Sequence, residues 1–182
     1  MKDDFAIKWL KTRFKNEKIN EKDIRPVLHF SLLWNFFESM YFTADNQLSA
    51  RNLVLLSRLS LSYLTPEVIN KNFEYFKSRY FAEASTNGLF ESLNLSTTRS
   101  NELGSSFKIF CENTIINEHS ELEDKLIVLF LIIHRYRNNL FHGRKQTLTL
   151  NIYKKQFKII NEFLIDYFNA TVDNDCLNKN RF

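Results

Sequence analysis

Eight consecutive apolar residues, Leu126 to Ile133, lie inside a segment that has neither proline nor glycine from Ser120 to His142. A run of that length covers every face of a helix, and a helix that is apolar all round belongs at the centre of a fold. It is also far too short to span a bilayer, which takes about 20 residues. The segment has helix punctuation at both ends. Ser120 with Glu123 has the spacing of a capping box, and Gly143 suits a left-handed C-terminal cap.

The rest of the chain supplies helices to surround this one. Residues 3–18 place Phe5, Trp9, Leu10 and Phe14 at helical spacing. A second helix is predicted over 26–42, with Pro26 near its start and Phe30, Leu33, Trp34, Phe37 and Tyr41 on one face. A third covers 48–64. Thr65-Pro66-Glu67 reads as the start of a fourth, which runs to about Ala84. Residues 85–88 read as a loop, 89–106 as irregular or briefly helical, 107–117 as another helix, and 150–169 as the last. Only 3 Gly and 2 Pro occur in 182 residues, which suits long helices with few turns. No alternating run bounded by turn residues predicts a strand. The 18 Phe, 7 Tyr and 2 Trp must fill much of the core. The expectation is an all-α helical bundle, one domain over 1–170 with helices beyond a minimal bundle, and a polar tail over 171–182.

The N-terminal stretch is charged and lacks the apolar region of a secretory signal. Cys111 and Cys176 lie far apart and form no CxxC pair. Two reduced thiols, a cytoplasmic protein, no membrane partner and no metal or other cofactor are expected.

Charge is unevenly spread. Between Asp124 and Glu162 there is no carboxylate but eight basic residues: Lys125, Arg135, Arg137, Arg144, Lys145, Lys154, Lys155 and Lys158. The remainder holds 17 basic against 21 acidic residues. A basic segment in an otherwise acidic chain points to a phosphate-bearing partner. Of these residues, Arg135, Arg144, Lys145, Lys154, Lys155 and Lys158 are candidates for RNA backbone contacts. The alternative is a solvated basic helix face.

Within this segment stands Arg135-Tyr136-Arg137-Asn138-Asn139-Leu140-Phe141-His142-Gly143. Arginine and histidine together can cleave a phosphodiester without metal. The guanidinium is a permanently charged fork of donors for phosphate oxygens. Histidine exchanges protons near neutral pH. Five positions along a helix turn roughly 500°, leaving Arg137 and His142 about 140° apart. Either the helix ends between them or a second subunit completes the site. The alternative is structural: Arg137 paired with a core carboxylate such as Glu38, and His142 complementing the helix dipole. Glu38 is thus a candidate for support or for core pairing. Tyr136 is a candidate for stacking on a base or for core packing. His29, His119 and His134 read as structural or exposed.

The string RNNLFHG resembles the signature of the HEPN superfamily, in which an Arg is followed by a polar residue, commonly Asn, with the His four to six positions on. Asn138 favours Arg137 over Arg135 as the motif Arg. The segment LLWNFFES, residues 32–39, resembles an early helix of some HEPN families. The resemblance implies a helical bundle that dimerises so that two motifs share one cleft. It implies metal-independent endoribonuclease activity that leaves a 2′,3′-cyclic phosphate, commonly in toxin–antitoxin or anti-phage systems. Carried over, Arg137 would bind the scissile phosphate, His142 would handle protons, and Asn138 would orient the phosphate or the His. A non-catalytic module that binds RNA, a nucleotide or a partner protein stays open. Where HEPN toxins paired with nucleotidyltransferases often carry a modifiable Tyr, this chain has Arg144, so control at that position is not expected. Another antitoxin or defence-system partner remains compatible.

Overall fold

The computed structural model describes residues 8–9, 12–13, 21–44, 46–141 and 152–173. Most of the first predicted helix, the Gly143 cap, and the site candidates His142, Arg144 and Lys145 lie outside them. The described chain is all-α. Its helices are α1 (Glu21–Tyr41), α2 (Ala50–Ser60), α3 (Pro66–Tyr80), α4 (Gly88–Glu91), α5 (Phe107–Ile116), α6 (Leu122–Phe141) and α7 (Lys154–Thr171). A 3-10 turn over Leu61–Tyr63 follows α2.

The central position expected for α6 is found. Every residue from Leu126 to Ile133 is at most 2% exposed. Helices α2, α3 and α5 pack on it. Helix α1 reaches it through the Phe37–Phe130 ring pair, with centroids 5.5 Å apart. Helices α1 and α7 run parallel, because their contacts advance together along both chains. Lys154 pairs with Asp23 near the two starts. Phe30 packs on Phe157, Phe37 on Tyr167, and Tyr41 meets Thr171 at the two ends.

The caps show which local signals were decisive. Ser49, Thr65 and Ser106 each accept a backbone N–H with the side-chain oxygen at the starts of α2, α3 and α5. Ser120 does not cap α6. Its hydroxyl donates instead to the carbonyls of Thr114 (2.7 Å) and Asn117 (3.1 Å), closing the turn after α5. Glu123 pairs with Arg58 of α2 rather than reaching back. Helix α1 is described from Glu21, five residues before Pro26, with Glu21 and Asp23 in its first turn where carboxylates offset the dipole.

Two further expectations are corrected. Helix α3 stops at Tyr80 rather than near Ala84, because Phe81–Ala82 and Ser85–Thr86 pair as a two-stranded antiparallel hairpin. Its turn residues Glu83 and Ala84 have φ of 52° and 66°. This is the left-handed geometry that two-residue hairpin turns need, without the Gly or Asn that usually announces it. Ala84→Gly should remove a steric penalty and raise unfolding free energy by about 0.5–1 kcal/mol, measured by urea denaturation. The polar tail does not begin at Thr171. Its side chain is fully buried, its hydroxyl donates to the Tyr167 carbonyl (2.7 Å), and it therefore accepts from the Tyr41 hydroxyl (2.6 Å).

Candidate functional site

The last two turns of α6 carry His134 to Phe141 past the apolar run, and helical geometry divides them. His134, Arg137 and Asn138 turn toward α1. Arg135 and Asn139 turn toward α4 and the loop after it, while Tyr136 turns toward α3. On the first face a continuous chain of contacts forms. Arg137 Nη2 donates to Glu38 Oε1 at 3.0 Å. Its Nη1 donates to Asn138 Oδ1 at 3.2 Å. Asn138 Nδ2 lies 3.2 Å from His134 Nε2. The His134 ring lies nearly parallel to the Trp34 indole, 15° apart, with centroids separated by 6.4 Å.

Arg137 and Glu38 each keep 28% of their side-chain surface open. The guanidinium is thus oriented by protein on one side and reachable by solvent on the other. The pair foreseen as a structural alternative is present. Because it is half-exposed, it adds modestly to stability, and its main physical effect is to fix the direction of the fork.

His134 was not singled out by the sequence as more than a structural or exposed residue. Its spacing of four from Asn138 is the signal that places it on the same face. Burial, then the nearby Arg135 and Arg137, push its pKa down to about 4. It is neutral at pH 7, so with Asn138 Nδ2 donating, Nε2 accepts and the ring proton sits on Nδ1. The unfolded chain, with a histidine pKa near 6.5, binds this proton more readily. Stability is therefore present above about pH 6.5 and falls as pH drops toward 4, by at most about 1.4 kcal/mol per pH unit. Denaturation of His134→Gln across pH 4–7 should lack this component of the slope.

The remaining candidates are dispersed. Tyr136 is 2% exposed, and its hydroxyl lies 3.0 Å from that of Tyr80. Its ring packs in the core and is not presented to a base. Arg135 Nε donates to the Leu93 carbonyl at 2.8 Å, which ties it to the segment after α4. On α7, Lys154 pairs with Asp23 at 2.8 Å. Lys158 stands 3.9 Å from Glu162, and Lys155 lies over the Tyr75 ring. All three lysines are exposed, but two of them have carboxylate partners that the charge run alone did not reveal.

Among the described residues, no three His, Cys, Asp or Glu side chains gather as a metal site. No described helix is long and apolar enough to cross a membrane. Cys111 is fully buried, and burial pushes its thiol pKa well up, away from nucleophilic use. No family model, curated protein or solved structure matches the chain.

Proposed function

We propose that this chain is a metal-independent endoribonuclease of the HEPN type, acting as a homodimer whose two Arg/His motifs share a cleft. The observation that carries the reading is the half-exposed Arg137 guanidinium, aimed by Glu38 and Asn138 and followed five residues later by His142.

The chemistry follows from those groups. The ribose 2′-hydroxyl attacks the adjacent phosphorus. A new O2′–P bond forms and the P–O5′ bond breaks, giving a 2′,3′-cyclic phosphate and a free 5′-hydroxyl. The 2′-hydroxyl loses its proton and the departing O5′ gains one, and His142 is the group assigned to proton transfer. Arg137 holds the charge that builds on the non-bridging oxygens. Asn138 keeps the fork in place, and His134, neutral and acceptor-only at Nε2, fixes the Asn138 amide. Arg144, Lys145 and the α7 lysines would contact the RNA backbone. A role as a toxin or anti-phage effector, with an antitoxin or other defence protein as partner, fits the motif resemblance.

The test is sequencing of RNA ends after expression of the native chain and of His142→Ala, with purified protein assayed in EDTA. The reading requires cleavage that persists in EDTA, cyclic-phosphate ends, and loss of both with the variant. A second reading, a non-catalytic module that binds RNA, a nucleotide or a partner protein, is favoured by the Arg137–Glu38 ion pair itself. It requires RNA or partner binding that survives His142→Ala and no cleavage of any RNA.

A further inference from the structure

On the opposite side of α6 from the Arg137 contacts, a cavity of about 230 Å³ opens between the C-terminal end of α3, α4, the last turns of α6 and the approach to α7. Arg79 lies on its wall. The guanidinium carbon lies 5.9 Å from the centroid of the Tyr80 ring, and the side chains of Tyr80 and Tyr136 interact with it electrostatically. The Gln156 amide, with its oxygen toward the arginine, accepts from Arg79 Nη1 at 2.7 Å, and its nitrogen then donates to the carbonyls of Tyr153 and Ile152. Arg79 Nε is buried and has no hydrogen-bond partner among the described residues.

All these neighbours are neutral. No described carboxylate lies within ion-pair distance of Arg79, and none lines the cavity. An arginine that only complemented the α3 dipole would extend its head into water. This one is drawn inward instead, and a half-buried cation with no carboxylate partner among the described residues is placed to form charge-assisted bonds with an anion that enters the cavity. Arg135 adds a second positive charge beside the cavity, because the Leu93 carbonyl that it holds belongs to a lining residue. Leu89, Leu93, Ile152 and the Tyr153 ring give the wall an apolar part, beside the polar Ser92 and Asn139.

We propose that this cavity binds a small organic anion, a phosphate monoester or a carboxylate, with its charged head on Arg79 and its apolar body against Leu89, Leu93 and Ile152. The site is separate from the Arg137 face and does not depend on the ribonuclease reading. The Asn139 amide, 5% exposed and also on the wall, is placed to select among heads by hydrogen bonding. A guanidinium fork meeting such a head forms charge-assisted bonds that a neutral side chain cannot replace.

The experiment is titration of the full chain by calorimetry and thermal shift with inorganic phosphate, phenyl phosphate, adenosine 5′-monophosphate and benzoate, with benzyl alcohol as the neutral control. At least one organic anion should bind more tightly than inorganic phosphate and raise Tm, while benzyl alcohol should not. Phenyl phosphate and benzoate separate the two head chemistries. Arg79→Gln should weaken that binding at least about tenfold. Leu89→Trp keeps the arginine and fills the cavity from an exposed position, so it should weaken the organic anion and leave any inorganic phosphate binding in place. Arg137→Ala should leave the binding unchanged even where it abolishes RNA cleavage. The proposal is overturned if no organic anion in the panel binds, if inorganic phosphate binds as tightly as the organic anions, or if folded Leu89→Trp binds them as the native chain does.

Discussion

Arg137→Ala should lower RNA cleavage by about two to three orders of magnitude while leaving the bundle folded. The size follows from the loss of one preorganised donor at a centre of developing charge. The tolerance of the fold follows from geometry. Arg137 and Glu38 are half-exposed, so removing the arginine leaves Glu38 able to reach water rather than stranded in the core. Arg137→Lys separates charge from shape. It keeps the cation but loses the planar fork that engages Glu38 and Asn138 at once, so a deep loss of activity is expected there too. His142→Ala should fall within about 10²–10⁴-fold, the range for a general acid–base group. Single-turnover cleavage, with circular dichroism as the check on folding, decides among these outcomes. Cleavage unchanged in both alanine variants would remove the endoribonuclease reading.

The largest effect on stability should come from Phe37→Ala, about 3–5 kcal/mol. Phe37 is fully buried, and its ring lies within 5.0–5.9 Å of those of Trp34, Tyr41, Phe42, Phe130 and Tyr167. It therefore joins α1, α6 and α7 at one point, where the cavity left by truncation is walled by large, stiff rings that relax poorly. Phe36, its neighbour in sequence, is 39% exposed and touches Phe168 edge-on. Phe36→Ala should lose far less. Paired urea melts measure the contrast, and similar losses at the two positions would contradict this picture of the core.

The sequence was most legible where one kind of force acts alone. The run from Leu126 to Ile133 has no polar choice to make, and hydrophobic burial put it at the centre. Thr65-Pro66 announced α3 because capping is local. Ser120 misled because its hydroxyl had carbonyls to satisfy in the turn behind it, and those depend on how α5 ends. The hairpin at Phe81–Thr86 was hidden because Glu83 and Ala84 carry none of the usual turn chemistry. At the candidate site, Arg137, Asn138 and Glu38 were all named in advance, the first two from the motif and Glu38 as an alternative partner. His134 was read only as structural or exposed, and Arg79 was not singled out. His134 has no motif of its own, and its lowered pKa comes from burial and then from the nearby Arg135 and Arg137. The surroundings of Arg79 are assembled from α3, α6 and α7, which no local spacing reports.

The parallel course of α1 and α7 has an electrical consequence. Their backbone dipoles reinforce one another, each leaving about half a positive charge at its start. The Trp34–His134 and Phe37–Phe130 contacts show that α6 runs against α1, so α6 ends toward the pole where the other two begin. Helix α3 ends there as well, with its Tyr80 hydroxyl against that of Tyr136, so two negative helix ends face two positive ones, and Glu21 and Asp23 further offset the start of α1. The main-chain fields therefore largely cancel at that pole, and any attraction for a polyanion there has to come from side chains such as Lys155, so substituting the surface lysines should erase it.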